Sequence, residues 1–221
     1  MTPNIKQIIL QYMRAIILLS VFLAGSGQAN ELGITDTIKS YITGIKSIAV
    51  EFVQTDNHNK PVRGMLIIDK PYKFRCNYYR PFPLLIVGNK NYVSIYDYEM
   101  KSLSRIKSEE NIFNFLLMDD INLNSQFEIL SAKESSNGAY IIKLKNHNLN
   151  TINEISFNKK NKNIQQLKIV EENNIIVITF EHTEVINQIS NNLFILKDPD
   201  IFGTPERFNK TELEKRFKII R

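Results

Sequence analysis

Between Gly64 and Arg105 apolar and polar side chains alternate in short runs separated by proline and asparagine turns, which is the pattern of consecutive antiparallel strands. Along Lys73-Phe74-Arg75-Cys76-Asn77-Tyr78 the alternation places Phe74, Cys76 and Tyr78 on one face and Arg75, Asn77 and Tyr79 on the other. One side of the sheet is therefore distinctly apolar. The spacing predicts strands over Val62–Asp69, Lys73–Tyr79, Leu84–Val87, Tyr92–Asp97 and Lys101–Ile106, joined by turns at Lys70-Pro71, Pro81-Phe82-Pro83, Gly88–Asn91 and Asp97–Met100. In Leu84-Leu85-Ile86-Val87 both faces carry large apolar residues.

The flanking segments have other periods. Ile34, Ile38, Tyr41, Ile42 and Ile45 share one helical face, which predicts a short amphipathic helix capped by Thr35 or Asp36 and ending near Gly44. A half-buried strand follows from Ile48, with Val50 and Phe52 alternating against Ala49, Glu51 and Val53. At Ser108 the strand period stops: Glu109 and Glu110 precede the apolar run Ile112, Phe113, Phe115, Leu116, Leu117 and Met118, which predicts a Ser108-capped helix, buried or lying over an apolar surface. Alternation resumes over Phe127–Leu130, Tyr140–Leu144, Ile152–Phe157, Ile164–Val170 and Ile175–Phe180, for roughly ten strands in all. Thr211-Glu212-Leu213-Glu214 reads as a capping box that opens a last short helix near the C-terminus. Hairpin-length connections and the lack of strand–helix–strand alternation predict a mainly β fold, an antiparallel barrel, open or closed, with two or three helices.

The first 29 residues change the setting. Lys6 and Arg14 precede the apolar run from Ala15 to Gly25, and Gly27-Gln28-Ala29 offers small residues for cleavage, the layout of a secretory signal peptide. The run is shorter than the ~20 residues a membrane-spanning helix needs. Cleavage near Ala29 would leave a domain over residues 30–203, with 204–221 as a C-terminal appendage. The formal net charge is +5, and two of those charges leave with the segment, so the remaining +3 is no nucleic-acid footprint. The single cysteine, Cys76, permits no internal disulfide and fits the inner sheet face as a small apolar residue.

Reactive groupings are missing from the sequence. His58, His147 and His182 lie far apart in polar surroundings, and there is no nucleophile elbow, phosphate loop or zinc helix. Asp119 and Asp120, as neighbours, point in different directions. The strands are too short and too irregular in aromatic placement for a transmembrane barrel. No enzyme, metal, cofactor or nucleic-acid partner is expected. What is left is a surplus of apolar positions, which either fill a barrel core or hold a hydrophobic ligand.

Phe52-Val53-Gln54, Gly64, Lys70-Pro71-Tyr72-Lys73-Phe74-Arg75, Tyr78, Pro81, Tyr96-Asp97 and the stretch from Ile195 to Phe202 resemble, in order and spacing, the periplasmic carriers of outer-membrane lipoproteins, the LolA family. The resemblance implies an unclosed antiparallel β half-barrel of about ten to eleven strands with a lid of short helices. It further implies a monomeric periplasmic chaperone without cofactor. Such a carrier takes lipidated cargo from an inner-membrane ABC-type release complex and delivers it to an outer-membrane acceptor. In the family a basic residue before the strand-breaking proline, usually Arg, helps to close the lid; here it is Lys70. Phe74 matches an aromatic position that receives cargo from the transporter, and Cys76 stands where many relatives carry a larger side chain. The expected acyl-chain hollow is lined by Val50, Phe52, Leu66, Ile68, Phe74, Cys76, Ile86, Phe113 and Leu116. A lipoprotein-sensing regulator, or another lipid-binding protein on the same half-barrel, is the alternative reading.

Overall fold

A computed structural model describes residues 32–57, 60–108, 111, 113–118, 127–187 and 189–216. The segment read as a signal peptide, His58, Glu109, Glu110, Ile112 and the Asp119-Asp120 pair lie outside the described residues.

The described residues open with helix α1 over residues 32–44. Isoleucine is a poor choice for helix propensity, so α1 is held by burial: Ile34, Ile38 and Ile42, spaced four apart, all point into the core. Thr35 and Asp36, expected as caps, lie inside the helix. Eleven strands follow: β1 (Ser47–Asp56), β2 (Val62–Asp69), β3 (Lys73–Tyr78), β4 (Leu84–Gly88), β5 (Tyr92–Asp97), β6 (Ser102–Lys107), β7 (Phe127–Glu134), β8 (Ala139–Asn146), β9 (Thr151–Asn158), β10 (Ile164–Glu171) and β11 (Asn174–Val185). They form one antiparallel sheet in the order β6-β5-β4-β3-β2-β1-β11-β10-β9-β8-β7. Each half is an up-and-down meander. The halves are joined by the pairing of β1 with β11, and β6 and β7 are left as unpaired edges, so the barrel is unclosed.

Curvature can be derived from two contacts. Phe113 packs on Phe74 of β3 with ring centroids 6.0 Å apart, while Phe115, two residues on, meets Phe127 of β7 at 6.2 Å. β3 and β7 are seven strand intervals apart in the sheet order, about 34 Å if the sheet were flat. Two rings so close in sequence can reach both strands only if the sheet curls around them. The helix between them, α2 (Asn114–Leu117), is much shorter than the apolar run suggests. Its start differs from expectation too: Phe113 occupies the N-cap without a side-chain bond and no acid stands in the first turn. Asn111 does the anchoring, its Oδ1 accepting from the Phe113 amide at 3.1 Å and its carbonyl from the Asn114 amide at 3.0 Å.

The outer sheet face is covered as well. After β11 the chain crosses it as a 3-10 turn (Asn191–Phe194), helix α3 (Pro199–Phe202) and helix α4 (Lys210–Arg216). A second apolar cluster results, joining Ala49, Met65, Ile67, Leu85, Val87 and Tyr96 to Phe194, Leu196, Phe208 and Leu213. This explains why β4 is apolar on both faces. Arg75, only 5% exposed, donates from Nε to Asn77 Oδ1 at 3.0 Å and from a terminal nitrogen to the Leu193 carbonyl at 3.2 Å, and sits over the Phe208 ring. The capping box of α4 is Asn209 with Glu212, not Thr211 with Glu214: the Glu212 amide donates to Asn209 Oδ1 at 2.9 Å and the Asn209 amide to Glu212 Oε2 at 2.8 Å. Within the segment expected as an appendage, Phe208 and Leu213 are 5% and 0% exposed.

Leu213→Ala is expected to lower stability by about 2–4 kcal/mol, as for a core leucine. Urea unfolding checks this, and a change under about 0.5 kcal/mol, the size of a surface substitution, would show that α4 adds nothing to the core.

Candidate functional site

The inner face is built from rows of residues that face one another across the strands. One row runs Ile48, Ile68, Phe74, Gly88, Val93 and Ile106; the next runs Val50, Leu66, Cys76, Ile86 and Ile95; a third runs Phe52, Gly64 and Tyr78. Two aromatic rings lie over glycines directly opposite them. A Cβ on Gly88 would come within 1.9 Å of the Phe74 ring, and one on Gly64 within 2.5 Å of the Phe52 ring. The glycines are seats for these rings, and no other residue fits without displacing them. Phe52 meets Tyr78 edge-on at 5.3 Å, and Tyr78 lies 4.8 Å from Phe82.

Val50, Phe52, Leu66, Ile68, Phe74, Cys76, Phe113 and Leu116 are all buried in one cluster on this face, with the half-buried Ile86 packed against it. Sequence reasoning missed the other half of the cluster, contributed by Leu144, Ile155, Phe157, Leu167 and Ile178 of β8 to β11 and by the three isoleucines of α1. The alternation of those strands carried the signal, because the same period that selects Phe74 and Cys76 selects Ile155 and Phe157. The two glycines gave no such signal, since only the cross-strand register reveals what lies above them.

Lys70, at the β2–β3 turn, ties the helices to the sheet. Its Nζ donates to the Ile42 carbonyl of α1 at 2.7 Å and to the Met118 carbonyl at the C-cap of α2 at 2.9 Å. Both acceptors lie among the last carbonyls of their helices, where a cation is favoured, and the Ile42 carbonyl also accepts from the Ile45 amide at 3.2 Å. The turn adds two backbone bonds: the Tyr72 amide donates to the Leu117 carbonyl at 3.0 Å and the Lys70 amide to the Lys46 carbonyl at 2.9 Å. An ammonium serves here because the two acceptors lie on separate segments, and three rotatable donors suit them as well as a planar fork would.

Cys76 and Tyr78 bring polar atoms into the row. The Cys76 thiol is buried, and burial pushes its pKa well above the ordinary range, against a smaller opposing effect from the Tyr78 hydrogen bond. Burial likewise raises Tyr78, whose hydroxyl donates to Gln54 Oε1 at 2.7 Å. Both groups are held protonated, so stability is intact below the ordinary thiol pKa near 8.5 and falls as pH rises above it. A neutral buried thiol is a poor nucleophile. Among the described residues no group of three or more His, Cys, Asp or Glu could hold a metal ion; His147 stands 3.6 Å from Glu128, and His182 is exposed. The chemistry this face offers is apolar burial under helices that are fastened by the two Lys70 hydrogen bonds and by Tyr41, whose hydroxyl donates to the Lys159 carbonyl at 3.3 Å.

Residues 43–197 match the family model described as outer membrane lipoprotein carrier protein LolA. An uncharacterized protein of Rickettsia prowazekii is 46% identical over 181 residues, which cover 82% of this chain and 84% of its own. An outer-membrane lipoprotein carrier protein of Francisella philomiragia is 27% identical over 197 residues, 85% of this chain and 95% of its own. Among solved structures, a LolA superfamily protein from Nitrosomonas europaea superposes with a TM-score of 0.43 at 8% identity, covering 73% of this chain and 97% of its own.

The sole cysteine makes the lid measurable. Lys70→Met removes two charge-assisted hydrogen bonds, each contributing about 1.5–3 kcal/mol, and is expected to speed labelling of Cys76 by an aromatic disulfide at least about tenfold, while Lys70→Arg stays near the native rate. Equal rates in all three proteins would show that Lys70 does not hold the lid.

Proposed function

Because the chain belongs to the outer membrane lipoprotein carrier protein family, we propose that it is a periplasmic carrier that shields the acyl chains of lipoproteins on the inner face of the half-barrel. The observation that carries this reading is the Lys70 clip, which ties the end carbonyls of α1 and α2 together over an apolar surface. Each CH₂ of an acyl chain left in water forfeits roughly 0.8 kcal/mol, so a chain of about sixteen carbons needs roughly 12 kcal/mol of shelter to cross an aqueous space. Opening the lid exposes the three isoleucines of α1 together with Phe113, Phe115, Leu116 and Leu117, at about 1.5–3 kcal/mol each, and breaks the clip. The two sums are of the same order. Acyl chains can therefore displace the lid, and the lid can displace them in turn, which is what a carrier that must both hold and release requires.

In this reading the segment over residues 1–29 exports the chain and is removed near Ala29. Val50, Phe52, Leu66, Ile68, Cys76 and Ile86 line the hollow from the strands, and Phe113 and Leu116 line it from the lid, which swings back as acyl chains enter. Lys70 releases and recaptures the lid. Phe74, four residues from Lys70 and under Phe113, receives cargo from the inner-membrane ABC-type release complex. An outer-membrane acceptor takes the cargo onward, and the carrier acts as a monomer without catalysis or cofactor.

Phe52→Glu or Leu116→Glu puts a carboxylate against the acyl path and is expected to abolish co-purification of lipidated cargo; retention of cargo by both variants contradicts the assignment. Depletion of the protein is expected to leave lipoproteins in the inner membrane. Normal sorting with altered transcription would instead mark a lipoprotein-sensing regulator.

A further inference from the structure

At the end of the half-barrel remote from Lys70, residues 60–63 and 79–83 border a groove of about 600 Å³. Its floor is apolar, with Pro61, Val62 and Phe82, and its rim carries three cations, Lys60, Arg63 and Arg80. Two features distinguish it from an ordinary surface fold. The floor is continuous with the inner face: Val62 and Phe82 pack against the inner cluster, and the rings of Phe52, Tyr78 and Phe82 follow one another at 5.3 and 4.8 Å from the buried rows out to the groove. The rim is also unbalanced in charge. Arg63 is paired with Glu181 at 3.2 Å, whereas Lys60 and Arg80, both exposed, enter no ion pair among the described residues.

An apolar track that ends at two uncompensated cations matches an amphiphile whose acyl chain points inward and whose anionic head stays at the rim. We propose that this groove seats the phosphate head of a lipid, with Lys60 and Arg80 as its ligands and the Phe82–Tyr78–Phe52 rings receiving the first part of the chain. The proposal rests on the acyl-burying role of the inner face and adds a headgroup preference to it. A phosphate at the rim keeps its solvation on the outer side and gains two partly exposed ion pairs, while the chain supplies the affinity. The expected gain from charge is accordingly modest: at low salt the anionic lipid is expected to bind about tenfold tighter than an uncharged one with the same chain.

The test uses 1-lauroyl glycerol 3-phosphate and 1-lauroyl glycerol, both below their micelle thresholds, titrated calorimetrically into the purified protein, its Lys60→Gln/Arg80→Gln double variant and Phe52→Glu. The expected result is a tenfold preference for the phosphate lipid in the unaltered protein, shrinking with added salt and lost in the double variant, whose affinity for the uncharged lipid is unchanged. Phe52→Glu is expected to weaken both lipids together, and inorganic phosphate at matching concentration is expected not to compete. Equal affinity for the two lipids in the unaltered protein, or a preference that survives in the double variant, overturns the headgroup seat while leaving the acyl site standing. Displacement of the lipid by inorganic phosphate overturns the joint seating of head and chain. Binding of neither lipid overturns the acyl site and the headgroup seat together.

Discussion

A sheet of eleven antiparallel strands that curls without closing must still keep its inner face from water, and that constraint organises the whole molecule. In a closed barrel, side chains from opposite walls would fill the interior. Here the walls do not meet, so α1 and α2 supply the missing layer, and their isoleucines, phenylalanines and leucines complete a cluster that the strands alone would leave half solvated. The outer face has the same problem, and the chain solves it differently. There the segment after β11 is laid across the strands and anchored by Leu213, Phe208 and the buried Arg75.

The two covers are fastened to different standards. The outer one continues directly from β11 and is held by large buried side chains and by Lys210, whose Nζ reaches Glu51 on the sheet at 2.9 Å. The inner one is short, lacks side-chain caps on α2, and depends on a turn residue that grips helix-end carbonyls. Apolar layers held mainly by burial exchange readily for another apolar layer of similar area, since the hydrophobic effect is non-directional. A bound acyl chain is such a layer. The inner lid is thus the part of the fold suited to leaving, and the outer cover is the part suited to keeping the sheet curled while it does.

Much of this was legible in the sequence, for reasons that differ from element to element. The strands β2, β5 and β10 fall where alternation puts them to within a residue, because a half-buried strand writes its period directly into its residues. Val50, Phe52, Leu66, Ile68, Phe74, Cys76 and Ile86 share the inner face for the same reason. α2 was overextended because a run apolar on every side has no period to mark where helix stops, and only the positions of Phe74 and Phe127 decide which of its residues are drawn in. Its cap was misplaced because Ser108 looks suitable locally while Asn111 is the residue that reaches the Phe113 amide. Gly64 and Gly88 are silent in sequence, since their role as ring seats exists only once β1 lies beside β2 and β3 beside β4. The outer cover is hard to read because Phe208 and Leu213 are single buried anchors in a polar stretch: the sequence signals a short helix there but not that it packs on the sheet.

Native mass spectrometry of the protein isolated gently from cells tests most directly the proposal that the inner face holds acyl chains. The expected spectrum contains a species heavier than the protein alone by the mass of a lipidated protein or acyl lipid, lost when Phe52 is replaced by Glu. A spectrum showing only the bare chain, from cells that make abundant lipoproteins, would contradict it.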